Sequence, residues 1–317
     1  MVDDFNLGEE QMKRVLVIGD IVADIYRDCY LKKMCPDAPD APAIIPFCDE
    51  VLPGGAANVA LNIVALSTDC IVDLIGVTDI ALAHKIVKMS KNRVNMDFCY
   101  TTIDDDCLTK ERLILDGKII ARLDNYERLP ERLLHPQKEL ISKYFELHEP
   151  DLIVLSDYNG GLLEIAMDNL SQRMERVLVD TKSTDLKMFD GAAMIKLNEE
   201  EARRVMLLDP TPEKHCQSLV VTLGKNGAAL KIFKNVSKSV FKINTFSVPG
   251  YEVPAIDVCG CGDTFLAGIA ATLLRVNDMY TAVRFANAAA ATVVRKPRTA
   301  IANRQETLEL LGEDDAG

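Results

Sequence analysis

The chain predicts an α/β fold in which helices cover both faces of a mostly parallel sheet, and three observations predict it. Short apolar runs alternate with stretches of helical periodicity along most of the 317 residues. Three of the runs end in Asp157, Asp180 and Asn198, polar residues at the strand ends where open α/β sheets bind ligands. Two stretches then interrupt the rhythm with antiparallel signals, which predicts a small β lid beside the main sheet.

Taken in order, VLVIG at 15–19 is an apolar run closed by glycine, the pattern of a strand buried on both faces. IVDLI at 71–75 and GVTDI at 76–80 read the same way. So do DLIVLSD at 151–157, VLVD at 177–180, AAMIKLN at 192–198 and SLVVTLG at 218–224. Helical patterns separate them: AANVALNIVALS at 56–67, a charged stretch around 131–147, LLEIAMDNLSQRM at 162–174 and EEARRVML at 200–207. A late helix follows from the three-to-four spacing of Phe265, Leu266, Ile269, Ala270, Leu273 and Leu274. The first interruption, 24–53, holds the turn-rich CPDAPDAPAIIP between strand-like runs. In the second, 98–123, LTKERLIL and KIIARLD flank Asp116-Gly117, a strong hairpin signal. The expectation is one domain over 1–317 with a discontinuous lid from about 24–53 and 98–123; an antiparallel extension of the main sheet is the alternative. A lid would have an exposed face in need of a mate or a substrate.

Composition narrows the function classes. Hydrophobic residues make up 48% and charged residues 26%, ordinary for a globular protein. A net charge of −12 disfavours nonspecific nucleic-acid binding. No run of eighteen apolar residues predicts a membrane span, and MVDDFNLGEEQMKR is too polar for a secretory signal. A cytoplasmic location is therefore expected, with no membrane partner. The nine cysteines form no CxxC pair and are read as reduced and mostly packed. Cys259 and Cys261 lack a second pair of ligands for zinc.

Chemistry concentrates in DVCGCGDTFLAG at 257–268. Gly260 and Gly262 allow a sharp turn and close approach to a ligand, and the first turn of the following helix offers free N–H groups to an anion. Asp263 beside such a cradle could take a proton from an attacking alcohol while the N–H groups of Gly260, Cys261 and Gly262 hold a transferred phosphoryl group. An ordinary helix start after a glycine turn explains the same local string. LPGGAANVALNI at 52–63 is a second glycine-rich helix entrance, where Gly54, Gly55 and Asn58 would suit a polyol. Asp20 and Asp24, just beyond the first strand, could accept hydroxyl hydrogen bonds or be solvated surface. GxGxxG after the first strand and GxxxxGK[ST] are both absent, which weakens dinucleotide-binding and P-loop readings. Ser156, Asp157 and His215 do not establish a hydrolytic triad.

Together these segments resemble the ribokinase-like, or PfkB-type, carbohydrate kinases. The ordered set is GDIVAD (19–24), PGGAANVALN (53–62), LSDYNGG (155–161), KLNEEE (196–201), VTLGKNG (221–227) and DVCGCGDTF (257–265). Within the family it looks most like the kinase domain that phosphorylates D-glycero-β-D-manno-heptose 7-phosphate at O1 to the 1,7-bisphosphate, on PDAPDAPAIIP, LTKERLI, IARLD, VLVDTKSTD and NAAAATVVRKPRTA. With no HxGH motif, it looks like the kinase-only form. The resemblance implies a three-layer ribokinase-like sandwich, ATP as donor, Mg²⁺, a possible K⁺ and a homodimer joined through the lid.

It also implies roles. Asp263 would be the base, and Gly260, Cys261 and Gly262 the anion hole. Asp20, Asp24, Gly54, Gly55 and Asn58 would hold the sugar. Asn198 and Glu201 would organise phosphate and magnesium, the latter through water. Thr222, Gly224 and Gly227 would lead to the nucleotide pocket, and Asp257 and Thr299 to a monovalent cation. Lys110, Arg112, Arg122 and Lys182 are candidates for a remote phosphate, although each could be a surface ion pair. Gly160 stands where heptose kinases commonly carry lysine, Leu197 where proline is common, and Cys261 at the variable position of the loop. Gly160 keeps open a kinase for another sugar or sugar phosphate. A noncatalytic sugar- or nucleotide-responsive sensor is the alternative of a different class.

Overall fold

The computed structural model describes residues 12–102, 107–125, 128–237 and 240–312. The chain begins with β1 (Lys13–Gly19), β2 (Ile21–Cys35), β3 (Ala38–Gly55) and α1 (Ala56–Leu66), followed by β4 (Cys70–Ile75), β5 (Val77–Asp79) and α2 (Ile80–Met89). Short strands β6 (Val94–Asn95) and β7 (Tyr100–Thr102) lead to β8 (Leu108–Leu115), β9 (Lys118–Asp124) and α3 (Glu131–Leu147). Next come β10 (Leu152–Ser156), α4 (Leu162–Leu170), β11 (Val177–Asp180), β12 (Met194–Asn198) and α5 (Glu199–Leu208). The chain closes with β13 (Ser218–Thr222), β14 (Ala228–Ser237), β15 (Val240–Val248), α6 (Cys261–Leu273), α7 (Met279–Val293) and α8 (Arg304–Leu311).

Nine strands form the central sheet in the order β15-β14-β13-β12-β11-β10-β1-β4-β6. Neighbours run parallel from β13 to β6, and β14 and β15 add an antiparallel edge. Alternation along β1 divides the core. Val15 and Val17 pack with α1, α6 and α7, while Leu16 and Ile18 pack on the opposite face with α3, α4 and α5. The result is the three-layer, ribokinase-like sandwich expected from the sequence. Parallel strands buried on both faces read as continuous apolar runs, which is why these elements were visible there.

The lid is a four-stranded sheet in the order β3-β2-β8-β9. β2 pairs antiparallel with β3 and parallel with β8, and β8–β9 is the hairpin expected at Asp116-Gly117. Asp116 and Gly117 take φ of 51° and 74°, as a tight two-residue turn of this hand requires. The proline-rich stretch makes its turn at Pro36-Asp37 and from Ala38 onward is part of β3 itself. As the lid's outer strand, β3 tolerates prolines that would cost a central strand its ladder hydrogen bonds.

Two expectations shift. Tyr100–Thr102 does not join the lid but pairs with β5, anchored by the Tyr100 N–H to the Gly76 carbonyl at 3.0 Å. Residues 103–106 of the same stretch lie outside the described residues. The strand expected at 76–80 is only three residues long, because Asp79 Oδ1 accepts from the Leu82 N–H at 2.7 Å and starts α2.

Candidate active site

The C-terminal ends of β1, β10, β11 and β12 converge with the first turn of α6 and the root of the lid. Gly260, at a left-handed φ of 73°, turns the chain into α6 and places Asp263 one turn inside it. Asp263 is 3% exposed. Tyr158 Oη donates to its Oδ1 at 2.7 Å and Asn58 Nδ2 to its Oδ2 at 3.0 Å. Asn58 is aimed by Asn62, which donates to both its carbonyl and its side-chain oxygen at 2.8 and 2.9 Å. Asn62 is in turn fixed by the Ala302 N–H at 2.8 Å. Burial pushes the Asp263 carboxyl up to about 6 against the two donors, which favour the charged form. A carboxyl poised near neutrality suits a general base.

Asp20 is the single residue between β1 and β2. Its Oδ2 accepts the N–H groups of Tyr158 and Gly160, both at 2.8 Å, whereas its buried Oδ1 has no hydrogen-bond partner among the described residues. Burial lifts this carboxyl to about 6 as well. Gly160 is what allows the arrangement: a Cβ there would sit 2.1 Å from Asp20 Oδ1. The missing lysine thus has a local steric correlate.

Asp24 lies at the root of β2. Its Oδ1 receives Arg112 Nη1 at 2.7 Å and its Oδ2 the Thr299 hydroxyl at 2.9 Å. Gly54 opposite leaves room, since a Cβ there would stand 2.4 Å from Asp24 Oδ2. Gly55 ends β3 and Asn58 lies on α1, so all five candidate sugar-side residues fall at the lid root.

The four candidate phosphate-binding cations separate. Arg112 is buried against Asp24 and stacks on Tyr26 at 5.0 Å. Arg122 is exposed on β9 and forked onto Asp124, both bonds 2.9 Å. Lys110 Nζ instead sits 4.2 Å from the Tyr158 ring centroid, with Lys182 Nζ at 5.4 Å from the same ring. Desolvation lowers the Lys110 pKa despite the pull of Asp24 and Asp263. For Lys182 desolvation also acts downward, but Asp180 and Glu201 outweigh it and the pKa is raised.

Asn198 and Glu201 form a reciprocal capping box at the start of α5. Asn198 Oδ1 accepts the Glu201 N–H at 2.9 Å, and Glu201 Oε2 accepts the Asn198 N–H at 2.7 Å. Lys182 Nζ donates to Glu201 Oε1 at 2.5 Å. Both carboxylate oxygens are engaged, which fits an outer, water-mediated part in holding magnesium better than direct ligation. Nearby, Asp180 Oδ1 is buried without a hydrogen-bond partner among the described residues.

Asp257 lies against the backbone segment that carries Thr299. Asp257 accepts N–H groups from Cys259 and Arg298, each at 2.9 Å, which holds its carboxyl below the usual range against the effect of burial. The Thr299 hydroxyl lies between Asp24 and Tyr26 Oη. Among the described residues no group of three or more His, Cys, Asp or Glu could hold a metal ion. His215 stands between Asp190 and Asp209, not beside Ser156.

Beyond the α6 turn lies a cleft of about 230 Å³ lined by Thr222, Gly224 and Gly227 at one side and by Tyr251, Val253, Asn287 and Ala290 at the other. Cys261 and Gly262, the two residues before Asp263, also line it. Its largely apolar walls suit a planar base, with N–H groups where phosphates would arrive.

Two residues of the site carry no signal strong enough to assign them from sequence. Tyr158 stands in LSDYNGG without a role of its own, although its hydroxyl touches the candidate base. Lys196, 3% exposed, donates to Asp180 Oδ2 at 2.6 Å and lies 3.4 Å from where a Cβ on Gly262 would be. Its one signal is a lysine inside an otherwise apolar strand.

The pfkB family carbohydrate kinase profile matches residues 12–306. "Bifunctional protein HldE" of Coxiella burnetii is 31% identical over 314 residues, covering 93% of this chain and 63% of that protein. The same-named protein of Helicobacter pylori is 30% identical over 324 residues, covering 95% and 67%. This chain thus spans 63% of the length of the Coxiella relative. Among solved structures, Thermotoga maritima ribokinase superposes with a TM-score of 0.72 at 19% identity, covering 94% of this chain and 99% of that one. Arabidopsis thaliana ribokinase complexed with ribose and ATP gives 0.68 at 17%, covering 95% and 99%. The chain belongs to the pfkB family of carbohydrate kinases, and with it to the ATP-dependent kinases.

Proposed function

We propose that this pfkB-family kinase phosphorylates a sugar phosphate, with D-glycero-β-D-manno-heptose 7-phosphate at O1 as the favoured substrate. The observation that carries the reading is Asp263, buried, held by two donors and directly following Cys261 and Gly262, which line the cleft. ATP would lie in that cleft with its γ-phosphate at the Gly260–Gly262 turn, and the sugar between Asp20, Asp24 and Asn58 under the lid. The sugar oxygen attacks the γ-phosphorus, the bond to the β-phosphate oxygen breaks, ADP leaves, and the hydroxyl proton passes to Asp263. Lys196 and the α6 N-terminus face the developing charge. Glu201 and Asn198, with Asp180, would hold Mg²⁺ through water, and the ion supplies charge neutralisation on the phosphates.

Two features support a phosphorylated sugar. Lys110 and Lys182 both flank Tyr158 beside Asp263, and Lys110 has no ion-pair partner among the described residues. The HldE relatives match nearly the whole chain, and the segments that resemble heptose kinases fall within that match. Coupled ADP release over a panel of free and phosphorylated sugars tests the reading. Turnover confined to the heptose 7-phosphate supports it; turnover with another sugar phosphate alone selects the second kinase reading that Gly160 keeps open. Tight sugar binding without any ADP release would select a sensor.

The lid also favours a homodimer. Tyr30, Leu31, Met34 and Phe47 of β2 and β3, with Ile119 and Leu123 of β9, are all more than 45% exposed. So apolar a sheet is protected most simply by a second copy. A monomer by light scattering at working concentrations would reject this.

A further inference from the structure

The base sits beside a tyrosine that the proposed roles do not use. Tyr158 occupies the turn after β10, where Asn159 adopts a left-handed φ of 66° and directs the chain back across the site. It makes three connections at once. Its N–H donates to Asp20 Oδ2 at 2.8 Å, its hydroxyl to Asp263 Oδ1 at 2.7 Å, and its ring lies against Lys110 and Lys182. A tyrosine hydroxyl is both donor and acceptor, but beside a carboxylate it donates. Burial and the carboxylates of Asp263, Asp180 and Asp24 push its own pKa well up, so it keeps its proton throughout the working range.

Asp263 therefore carries one fixed donor on each oxygen, Asn58 on Oδ2 and Tyr158 on Oδ1. An incoming sugar hydroxyl can meet only the lone pairs those donors leave open. The other groups facing Asp263 are Asp180 from β11, Lys196 from β12, Lys110 from β8, Lys182 after β11 and Cys261 on its own helix. Tyr158 is the donor that Oδ1 receives from among the described residues.

Resting on the kinase function above, we propose that Tyr158 is a positioning residue for the base: its hydroxyl fixes the carboxylate's orientation and holds it ionised for the attacking alcohol. The ring has a separable part, since it places the two ammonium groups by cation–π contact. Tyr158→Phe removes the first and keeps the second. Tyr158→Leu removes both.

The decisive experiment needs no substrate. The chain is labelled with ¹³C at aspartate carboxyls, the Asp263 signal is assigned by its loss in Asp263→Asn, and its titration is followed in wild type and Tyr158→Phe. A hydrogen bond to a charged group contributes enough that its loss should raise the Asp263 midpoint by about one to two pH units. An unmoved or lowered midpoint in a folded Tyr158→Phe variant overturns the proposal. If that variant does not fold, replacing the tyrosines with 3-fluorotyrosine strengthens the donor in the intact frame and should lower the midpoint; no change then refutes it. Because this readout is independent of turnover, it stands even if no sugar phosphate on the panel is phosphorylated. With an active substrate, Tyr158→Phe should move the acid limb of the kcat profile upward by the same amount at unchanged KM. Tyr158→Leu should also raise KM for the phosphosugar. A merely structural role would leave the acid limb where it is.

Discussion

Asp263→Asn should slow the reaction and, as pH rises, stabilise the fold relative to wild type. The substitution keeps the side chain's shape and removes the proton acceptor. General-base catalysis contributes about 10²–10⁴-fold, so kcat with saturating sugar and MgATP should fall by that factor, or roughly 3–5 kcal/mol of transition-state stabilisation. The stability effect has the opposite sign. Burial raises the carboxyl from its ordinary 3.8 to about 6 in the fold. Between these values the unfolded chain releases its proton while the folded chain keeps it, so rising pH costs the folded state until both are ionised. About two pH units correspond to roughly 3 kcal/mol, present below pH 4 and lost above pH 6. Asparagine does not titrate. It does offer an N–H₂ where one of the two donors needs an acceptor, a pH-independent penalty of about 1–3 kcal/mol. The difference in stability, variant minus wild type, should therefore increase by roughly 3 kcal/mol from about pH 4 to about pH 7.5. For 317 residues that is about 4–5 °C in the relative melting midpoint. Stopped-flow or coupled kinetics and thermal unfolding across that range check both halves. A folded variant with near-normal kcat refutes the base assignment. A stability difference flat with pH refutes the buried-carboxyl reasoning behind it.

The neighbouring groups give further expectations. Lys110→Ala should raise KM for the phosphorylated sugar by about 10-fold or more, the scale of a lost charge-assisted hydrogen bond, and change KM for a free sugar less. Arg122→Ala, on the exposed β9 and already forked onto Asp124, should leave both within about two-fold. Gly160→Ala should drive the Asp20 carboxylate from its place, cost about 1–3 kcal/mol of stability and raise sugar KM while nucleotide KM stays put. Arg112→Ala leaves Asp24 buried with half its partners; unfolding should show a loss of about 3–5 kcal/mol, partly recovered on adding Asp24→Asn.

What could be read from sequence follows how far each feature depends on distant partners. β1, β10 and β11 are continuous apolar runs, and burial on both faces makes them visible in any short window. Asp263 was legible because two glycines and a helix start surround it locally. Arg112 was not assignable, because its partner Asp24 lies 88 residues away in sequence and nothing near either marks the pair. The prolines of β3 read as a turn because their tolerance depends on the strand being at an edge, which only the assembled lid decides. Asn198 and Glu201 show the reverse difficulty. Their spacing was legible, but a capping box and a phosphate-organising motif share it.

The junction between lid and body has a mechanical consequence. Only Asp20 separates β1 from β2, and nothing separates β3 from α1. The Asp20 carbonyl accepts the Ala56 N–H at 3.0 Å, and Gly55, at φ 57°, has no room for a Cβ, which would lie 2.3 Å from that same oxygen. The two strands entering the lid are thus welded to each other at their roots, and the weld contains a candidate sugar ligand and leads directly into the helix bearing Asn58. The lid cannot pivot there without disturbing the residues around Asp263. Bending has to occur farther out along β2 and β3, beyond the Arg298 guanidinium that clasps Asp28 and Glu50, or else carry the site with it. In the second case, on the proposed function, an open lid would be an unassembled site, and ATP bound alone would meet no competent base. Idle hydrolysis would then be suppressed by the geometry of a hinge, before any exclusion of water comes into play.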